Sequence, residues 1–284
     1  MISRSRHTRG LVDVDDPADI TPPHPDGLET NKTSSSPDAT FDPLQPNKQY
    51  YRGGPKSLSG IATRAFCLGA GVSASMLTVA AIILFTESTL WRIPFFLGAL
   101  SLFHFFEFWT TAAYNTPVAD LSSFLLTANW PAYPIAHAVA SLECFITNYF
   151  WPTRSWAPFH TGPLLLAVGL FFVVMGQSVR TTAMIQCGES FNHIVQHSKK
   201  ASHSLVTTGL YSVFRHPAYF AFFWWAVGTQ LVLGNVLCFV AYTVVLWRFF
   251  SNRIANEELF LTKFFGDEYV EHKKNTRVWI PFIP

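Results

Sequence analysis

The chain has 284 residues, of which 49% are hydrophobic and only 13% charged, and its mean hydropathy is +0.22. Soluble domains carry about a quarter charged residues, so this composition excludes an ordinary water-soluble enzyme and points to an all-α polytopic membrane protein. A formal net charge of +2, with no basic patch interleaved with aromatics, excludes nucleic acid as a partner.

In chain order, residues 1–60 come first, rich in Pro, Ser, Asp and Gly ("DDPADITPPHPDG", "NKTSSSPDAT"). Such a stretch has no helical or strand period and cannot bury enough apolar surface to offset its chain entropy. It reads as a disordered cytosolic tail ahead of a membrane-embedded domain, 61–284. No apolar core follows the early arginines closely enough for a secretion signal.

Apolar segments of roughly 20 residues, the length that crosses a bilayer as a helix, then recur. They run over about 65–85, 93–113, 121–150, 163–179, 218–233 and 236–250. The third is expected to be long and bent, because Pro131 and Pro134 break its helix, or to be a half-helix followed by a span, which leaves the span count there open. Gly234 and Asn235 alone separate the last two, which therefore form a tight helical hairpin. The fold class read from this pattern is about six transmembrane helices ending in a hairpin.

Basic residues set the orientation. Arg52, Lys56 and Arg64 precede the first segment, Arg180, Lys199 and Lys200 follow the fourth, and Arg248 and Arg253 follow the sixth. Six crossings put them all on one side, the cytosol. The polar pieces 181–217 and 251–284 then share that face and are expected to build a cofactor pocket.

Three stretches carry chemistry. After the last segment, "RIANEELFLTKFFGDEYVEHKK" puts Arg253 and Glu257 on one helical face, either as an interfacial ion pair or as working groups; Glu258 points about 100° away toward another contact. In "GLYSVFRHPAYF", Pro217 suits the first turn of a helix, placing Arg215 and His216 at its N-terminal end. Such an end favours an anionic group, although a boundary cation and a satisfied imidazole would look the same. Between these spans lie His193, His197, His203 and His216 with Asn192, Gln196 and Tyr211. The i,i+4 pair His193 and His197 lacks an acidic third ligand in a compatible pattern, so a metal is disfavoured, and neutral donors with aromatics suit a nucleotide-like cofactor better. Within the apolar segments, His104, Glu107 and Glu143 are either functional groups or polar links between helices. The scattered cysteines, Cys67, Cys144, Cys187 and Cys238, show no metal-ligand spacing and read as small hydrophobes.

The run "SFNHIVQ…HSLVTTGLYSVFRHPAYF…FWWAVGTQ…WRFFSNRIANEELFLTKFFGDEYVEHKK" resembles the isoprenylcysteine carboxyl methyltransferases, integral enzymes of the endoplasmic reticulum. The likeness is dense over about 190–282, thinner in "LFHFFEFWTTAAYN", and absent before about residue 60. It implies S-adenosyl-L-methionine as methyl donor and the C-terminal S-prenylcysteine carboxylate of CaaX-processed proteins, small GTPases among them, as acceptor. It implies a multi-pass enzyme of the endoplasmic reticulum membrane with its active site toward the cytosol. Residue by residue, it implies donor contacts at Gln196, His203, Ser204, Leu205, Val206, Tyr211, His216, Pro217, Ala218, Tyr219 and Glu257. Arg253 matches the residue that faces the substrate carboxylate, and Arg253 and Glu257 are the expected catalytic pair. Ala218 departs from the serine of "RHPSY", which a backbone contact would survive and a hydroxyl contact would not. The chain also has fewer expected spans than the animal enzymes.

Two other membrane enzymes would share parts of this pattern. A sterol reductase needs a basic cluster for the NADPH 2′-phosphate, for which Lys199 and Lys200 are the candidates. A phospholipid methyltransferase accepts an amine, which would not want a guanidinium such as Arg253. A lipid-binding scaffold is the non-enzymatic reading. Prenyl length, protein substrates and homo-oligomerisation stay open.

Overall fold

The computed structural model describes residues 45–125, 130–151, 162–196, 198–199 and 203–284. These form α1 (Leu58–Phe85), α2 (Arg92–Tyr114), α3 (Ala132–Phe150), α4 (Gly162–Cys187), α5 (Pro217–Leu233), α6 (Leu237–Phe265) and α7 (Asp267–Asn275), with short 3-10 turns between them. No strand occurs among the described residues; an isolated parallel bridge joins Phe214 and Arg277. The protein is all-helical and multi-pass. Among the described residues three helical stretches are long and apolar enough to cross a membrane, Leu58–Phe85, Thr89–Tyr114 and Gly162–Ser190, and α5 is a shorter apolar helix.

Most of the expected tail lies outside the described residues. Its described end holds a 3-10 turn, Gln45–Tyr50, and Ser57, whose Oγ caps α1 by accepting from the Gly60 N–H at 3.2 Å. The described parts of the expected third segment are not one continuous helix, and residues 126–129 lie outside the described residues. Leu121–Phe124 is a 3-10 turn, and α3 begins at Ala132. Pro131 and Pro134 therefore stand at and just inside the start of a helix, where a missing N–H costs nothing.

The α4–α5 contact organises the membrane part. A Cβ on Gly176 would come within 2.6 Å of the Trp225 Cβ, so only glycine lets these backbones approach this closely. Phe172 of α4 stacks on Trp224 of α5 with ring centroids 4.7 Å apart. Buried Phe96, Phe103, Cys144, Val173, Trp225 and Leu233 form the core between α2, α3, α4 and α5.

The expected hairpin between α5 and α6 is present. Gly234 ends α5 in the left-handed region, φ 72°, and Asn235 Nδ2 donates to the Gln230 Oε1 and the Ala140 carbonyl, both at 2.9 Å. Glu143 of α3 accepts the N–H groups of Val236, Leu237 and Cys238 at 2.7–2.8 Å. Its intramembrane carboxylate is thus a cap on the otherwise unpaired start of α6. Beyond Phe250, α6 turns polar and ends at Gly266. In α7, Asp267 and Glu268 occupy the first turn and His272, Lys273 and Lys274 the last, the order the helix dipole favours.

Candidate active site

The chain between α4 and α5 is irregular and is held by side chains. Asn115, just past α2, donates to the carbonyls of Glu189 at 3.2 Å and Phe191 at 2.9 Å. Gln186 accepts the Leu210 N–H at 2.8 Å, and the Ser204 N–H donates to Ser190 Oγ at 3.2 Å. Pro217 then opens α5 at its first position.

This loop, the start of α5 and the polar end of α6 enclose a cavity of about 960 Å³, counting its open mouth. Gln196, His203, Ser204, Leu205, Val206, Tyr211, His216, Pro217, Ala218, Tyr219 and Glu257 all border it. The sequence reading missed much of the remaining wall: Cys187, Ser190, Phe191, Phe260, Leu261 and Phe264. The α6 members were detectable, since 257, 260, 261 and 264 follow the three- and four-residue spacing of one helical face. No sequence signal marks Cys187 or Ser190. His197 and Lys200 lie outside the described residues.

Arg253 stands beside this wall. It does not touch Glu257; the Tyr219 hydroxyl lies between them, donating to Glu257 Oε2 at 2.5 Å and accepting from Arg253 Nε at 2.8 Å. Arg253 Nη2 donates to the His193 carbonyl at 2.5 Å, and the guanidinium lies 5.3 Å from the Tyr219 ring centroid. Among the described residues Arg253 Nη1 has no hydrogen-bond partner. The guanidinium is held by two nitrogens, and the third is available.

His193 is itself anchored. Its Nε2 lies 3.3 Å from Thr111 Oγ1 and its Nδ1 3.6 Å from Glu107 Oε2. Burial lowers its pKa from the usual imidazole value, outweighing the attraction of Glu107. Glu107 also receives Arg180, through Nε to Oε1 and through Nη2 to Oε2 at 2.8 Å, and Arg180 Nη1 donates to the Ala218 carbonyl at 3.0 Å. Arg180 is therefore a buried link between α2, α4 and α5 rather than the boundary cation expected from its position.

Arg215, left open between a boundary cation and an anion site, is a third thing. It borders the cavity but is only 6% exposed, and its guanidinium does not serve as an open cation at the entrance. Nε donates to Glu258 Oε1 at 2.5 Å, Nη1 to the carbonyls of Lys273 and Thr276 at 3.2 and 3.0 Å, and Nη2 to the Pro284 carbonyl. Glu258 further meets His216 Nε2 at 3.4 Å and Lys273 Nζ. Burial alone would raise the Glu258 pKa, but hydrogen bonds from His216 and Lys273 and the charges of His216 and Arg215 outweigh it, holding the carboxyl at about 2. Adjacent glutamates thus have different surroundings: Glu257 borders the cavity and Glu258 braces it from behind.

The wall is chemically mixed, with Gln196, Ser204 and Glu257 beside Phe260, Phe264 and Tyr211. That mixture suits a molecule with both polar ends and a flat aromatic part. Among the described residues no group of three His, Cys, Asp or Glu could hold a metal ion.

The comparisons with known proteins bear on this site directly. The sequence profile of the "Isoprenylcysteine carboxyl methyltransferase (ICMT) family" matches residues 167–263, a span that includes every expected site residue. A protein-S-isoprenylcysteine O-methyltransferase of Saccharomyces cerevisiae is 47% identical over 189 residues, covering 66% of this chain and 79% of that protein. The chain belongs to the isoprenylcysteine carboxyl methyltransferase family.

Its similarity extends across kingdoms and to solved structures. The Homo sapiens protein-S-isoprenylcysteine O-methyltransferase is 40% identical over 70% of this chain and 68% of its own length. A solved structure described as the eukaryotic intramembrane Ras methyltransferase ICMT superposes with a TM-score of 0.71 at 35% identity, covering 79% of this chain and 77% of that one. As a member of this family the protein is an enzyme, a protein-S-isoprenylcysteine O-methyltransferase by class. Membership also separates the methyltransferase reading from the sterol-reductase and scaffold readings.

Proposed function

We propose that the protein methylates the C-terminal S-prenylcysteine carboxylate of CaaX-processed proteins, with S-adenosyl-L-methionine as donor. The observation that carries this reading is the arrangement of Arg253, Tyr219 and Glu257: a guanidinium with one free nitrogen beside a cavity whose wall mixes polar and aromatic side chains. S-Adenosyl-L-methionine supplies, when bound, an electrophilic methyl group on a positively charged sulfur.

Gln196, His203, Ser204, Leu205 and Val206 from the loop, Tyr211, the start of α5 from His216 to Tyr219, and Glu257 hold the donor. Glu257 offers a carboxylate to its cationic end, and an aromatic wall that includes Tyr211 favours a sulfonium through cation–π attraction. With Ala218 in place of serine, any contact there is through the backbone. No side chain has to remove a proton, because a C-terminal carboxylate has a pKa of about 3.5. The task of the chain is to strip water from that carboxylate and aim it. Arg253 holds one oxygen through Nη1 in a charge-assisted bond, leaving the other free to attack. Because Tyr219 and the His193 carbonyl already occupy Nε and Nη2, the guanidinium does not clamp both oxygens and blunt the nucleophile.

The prenyl chain, at about 0.8 kcal/mol per buried methylene, lies among the apolar helices. We place the enzyme in the endoplasmic reticulum membrane, crossing it about six times with one passage for each of α1 to α6, the cavity on the cytosolic side with Lys56, Arg64 and Arg253. Isothermal titration of the donor into protein held in nanodiscs tests the donor assignment. Wild type binds and Glu257→Ala binds more weakly; equal affinity in the two proteins would remove Glu257 from the donor site.

A further inference from the structure

The C-terminal residues "VWIPFIP" follow α7 and leave the polar part of the protein. Phe214 pairs with Arg277 in a parallel bridge, the Arg215 N–H donating to the Arg277 carbonyl at 2.9 Å. The chain therefore starts down alongside α5, in the direction of α5. Next, Trp224 Nε1 donates to the Trp279 carbonyl at 3.4 Å, and Trp247 Nε1 to the Pro281 carbonyl at 2.8 Å. The Ile283 N–H then closes a turn on the Ile280 carbonyl at 3.1 Å, and the Pro284 carbonyl returns to Arg215 Nη2. The segment is a hook that leaves Arg215 and comes back to it.

The depth of the hook follows from its partners. Trp224 is seven residues into α5, about 10 Å along the axis at 1.5 Å per residue. It stacks on Phe172 of α4, and its neighbour Trp225 faces Gly176, the central residue of the Gly162–Ser190 span. Trp247 lies six residues, about 9 Å, from Arg253 along α6. Both measures put the hook's contacts about 9–10 Å along the helices from Pro217 and Arg253, at the cytosolic edge of the apolar layer that Arg248 marks.

Non-helical backbone near lipid is tolerated where its polar groups are satisfied, and part of this segment's are. Pro281 and Pro284 carry no N–H, and two indoles and Arg215 take the carbonyls of residues 279, 281 and 284. Val278 and Ile280 are buried against Phe223, Val227, Phe250 and Ile254. Trp279 and Phe282 have left-handed backbones, φ 61° and 62°, which non-glycine residues keep only where the surroundings fix them. Phe282, at the tip, is 94% exposed. A phenylalanine fixed in that position beside two membrane helices, with no charged side chain within the hook, is matched to hydrocarbon rather than to water.

We propose that Trp279–Pro284 is a re-entrant membrane hook whose tip, Phe282, contacts lipid acyl chains, while its root braces the cavity through Arg215. The polar region expected over 251–284 then ends near Arg277, and the last residues are part of the membrane domain. The occupant of the exposed tip is the bilayer. The test uses the full chain in liposomes with Phe282→Cys and, as an aqueous control, Lys274→Cys on α7. Cys67→Ala and Cys187→Ala remove the two native thiols that are not buried, and the unmodified background is subtracted. The thiol at 282 reacts with a membrane-impermeant maleimide about tenfold or more slowly than that at 274, since hydrocarbon suppresses the thiolate. A fluorophore introduced there through a permeant maleimide is quenched by lipids brominated on their acyl chains, whereas one at 274 is not. Equal maleimide rates at the two sites would overturn the proposal by putting the hook in water. Slow reaction without lipid quenching would overturn it too, by showing that protein, such as a second copy of the chain, covers the tip. Trp279→Cys, half-exposed on the same hook, repeats both readings should the Phe282 variant not fold.

Discussion

Arg253 and Glu257 lie one helical turn apart on α6 yet do not touch, because the Tyr219 hydroxyl of α5 bonds to both. The phenol fixes the guanidinium toward the acceptor side and the carboxylate toward the cavity. A direct ion pair would neutralise both groups and leave neither for a ligand.

Tyr219→Phe keeps the ring packed against Phe250 and His216 and removes only the hydroxyl. Each bond to a charged group is worth about 1.5–3 kcal/mol, so kcat/KM for methyl transfer should fall about ten- to hundredfold. Steady-state kinetics with labelled donor check this, and an unchanged kcat/KM would refute the bridging role.

The Arg215–Glu258 pair makes a different prediction. Glu258→Ala strands a buried guanidinium, a loss of about 3–5 kcal/mol, and should lower the thermal midpoint. Glu257→Ala, facing the cavity, should leave that midpoint nearly unchanged while weakening donor binding. Thermal unfolding of both variants in detergent separates these roles.

The same pair sets an acid limit. Glu258 has its pKa lowered to about 2, against about 4.3 in an unfolded chain. Its contribution is complete above the unfolded value and is lost as pH falls toward 2. Thermal midpoints measured between pH 5 and pH 2.5 should drop in wild type and drop less steeply in Glu258→Gln.

Gly176→Val should separate α4 from α5, because even a Cβ would lie 2.6 Å from that of Trp225. Overpacking of a tight helix contact costs about 1–3 kcal/mol. The variant should unfold at lower temperature, and the cavity, whose wall includes the start of α5, should bind donor less well.

Much of this was legible in the sequence. The apolar segments mark the helices because a bilayer demands length and apolarity, and Gly234 and Asn235 mark the hairpin because only a turn fits between them. The cavity residues were found through the family pattern, since loop residues such as Gln196 and Ser204 carry no period of their own. The interruption of the third segment near Pro131 was legible, but its form was not, because prolines at the start of a helix and prolines within one look alike in one dimension. The roles of Arg180, expected as a boundary cation, and of Arg215, left open between a boundary cation and an anion site, stay hidden because a single sequence gives no hint of partners 73 and 43 residues away. The fold of "WIPFIP" was equally hidden, as its contacts are made by two tryptophans on other helices.

The measurement that tests the central claim most directly is methyl transfer by the purified protein in liposomes, with labelled S-adenosyl-L-methionine and N-acetyl-S-farnesylcysteine, in wild type and Arg253→Ala. The account predicts base-labile label in the farnesylated product from wild type, none with N-acetylcysteine, and near-complete loss in the variant. Equal label from Arg253→Ala, or none from folded wild type, would contradict it.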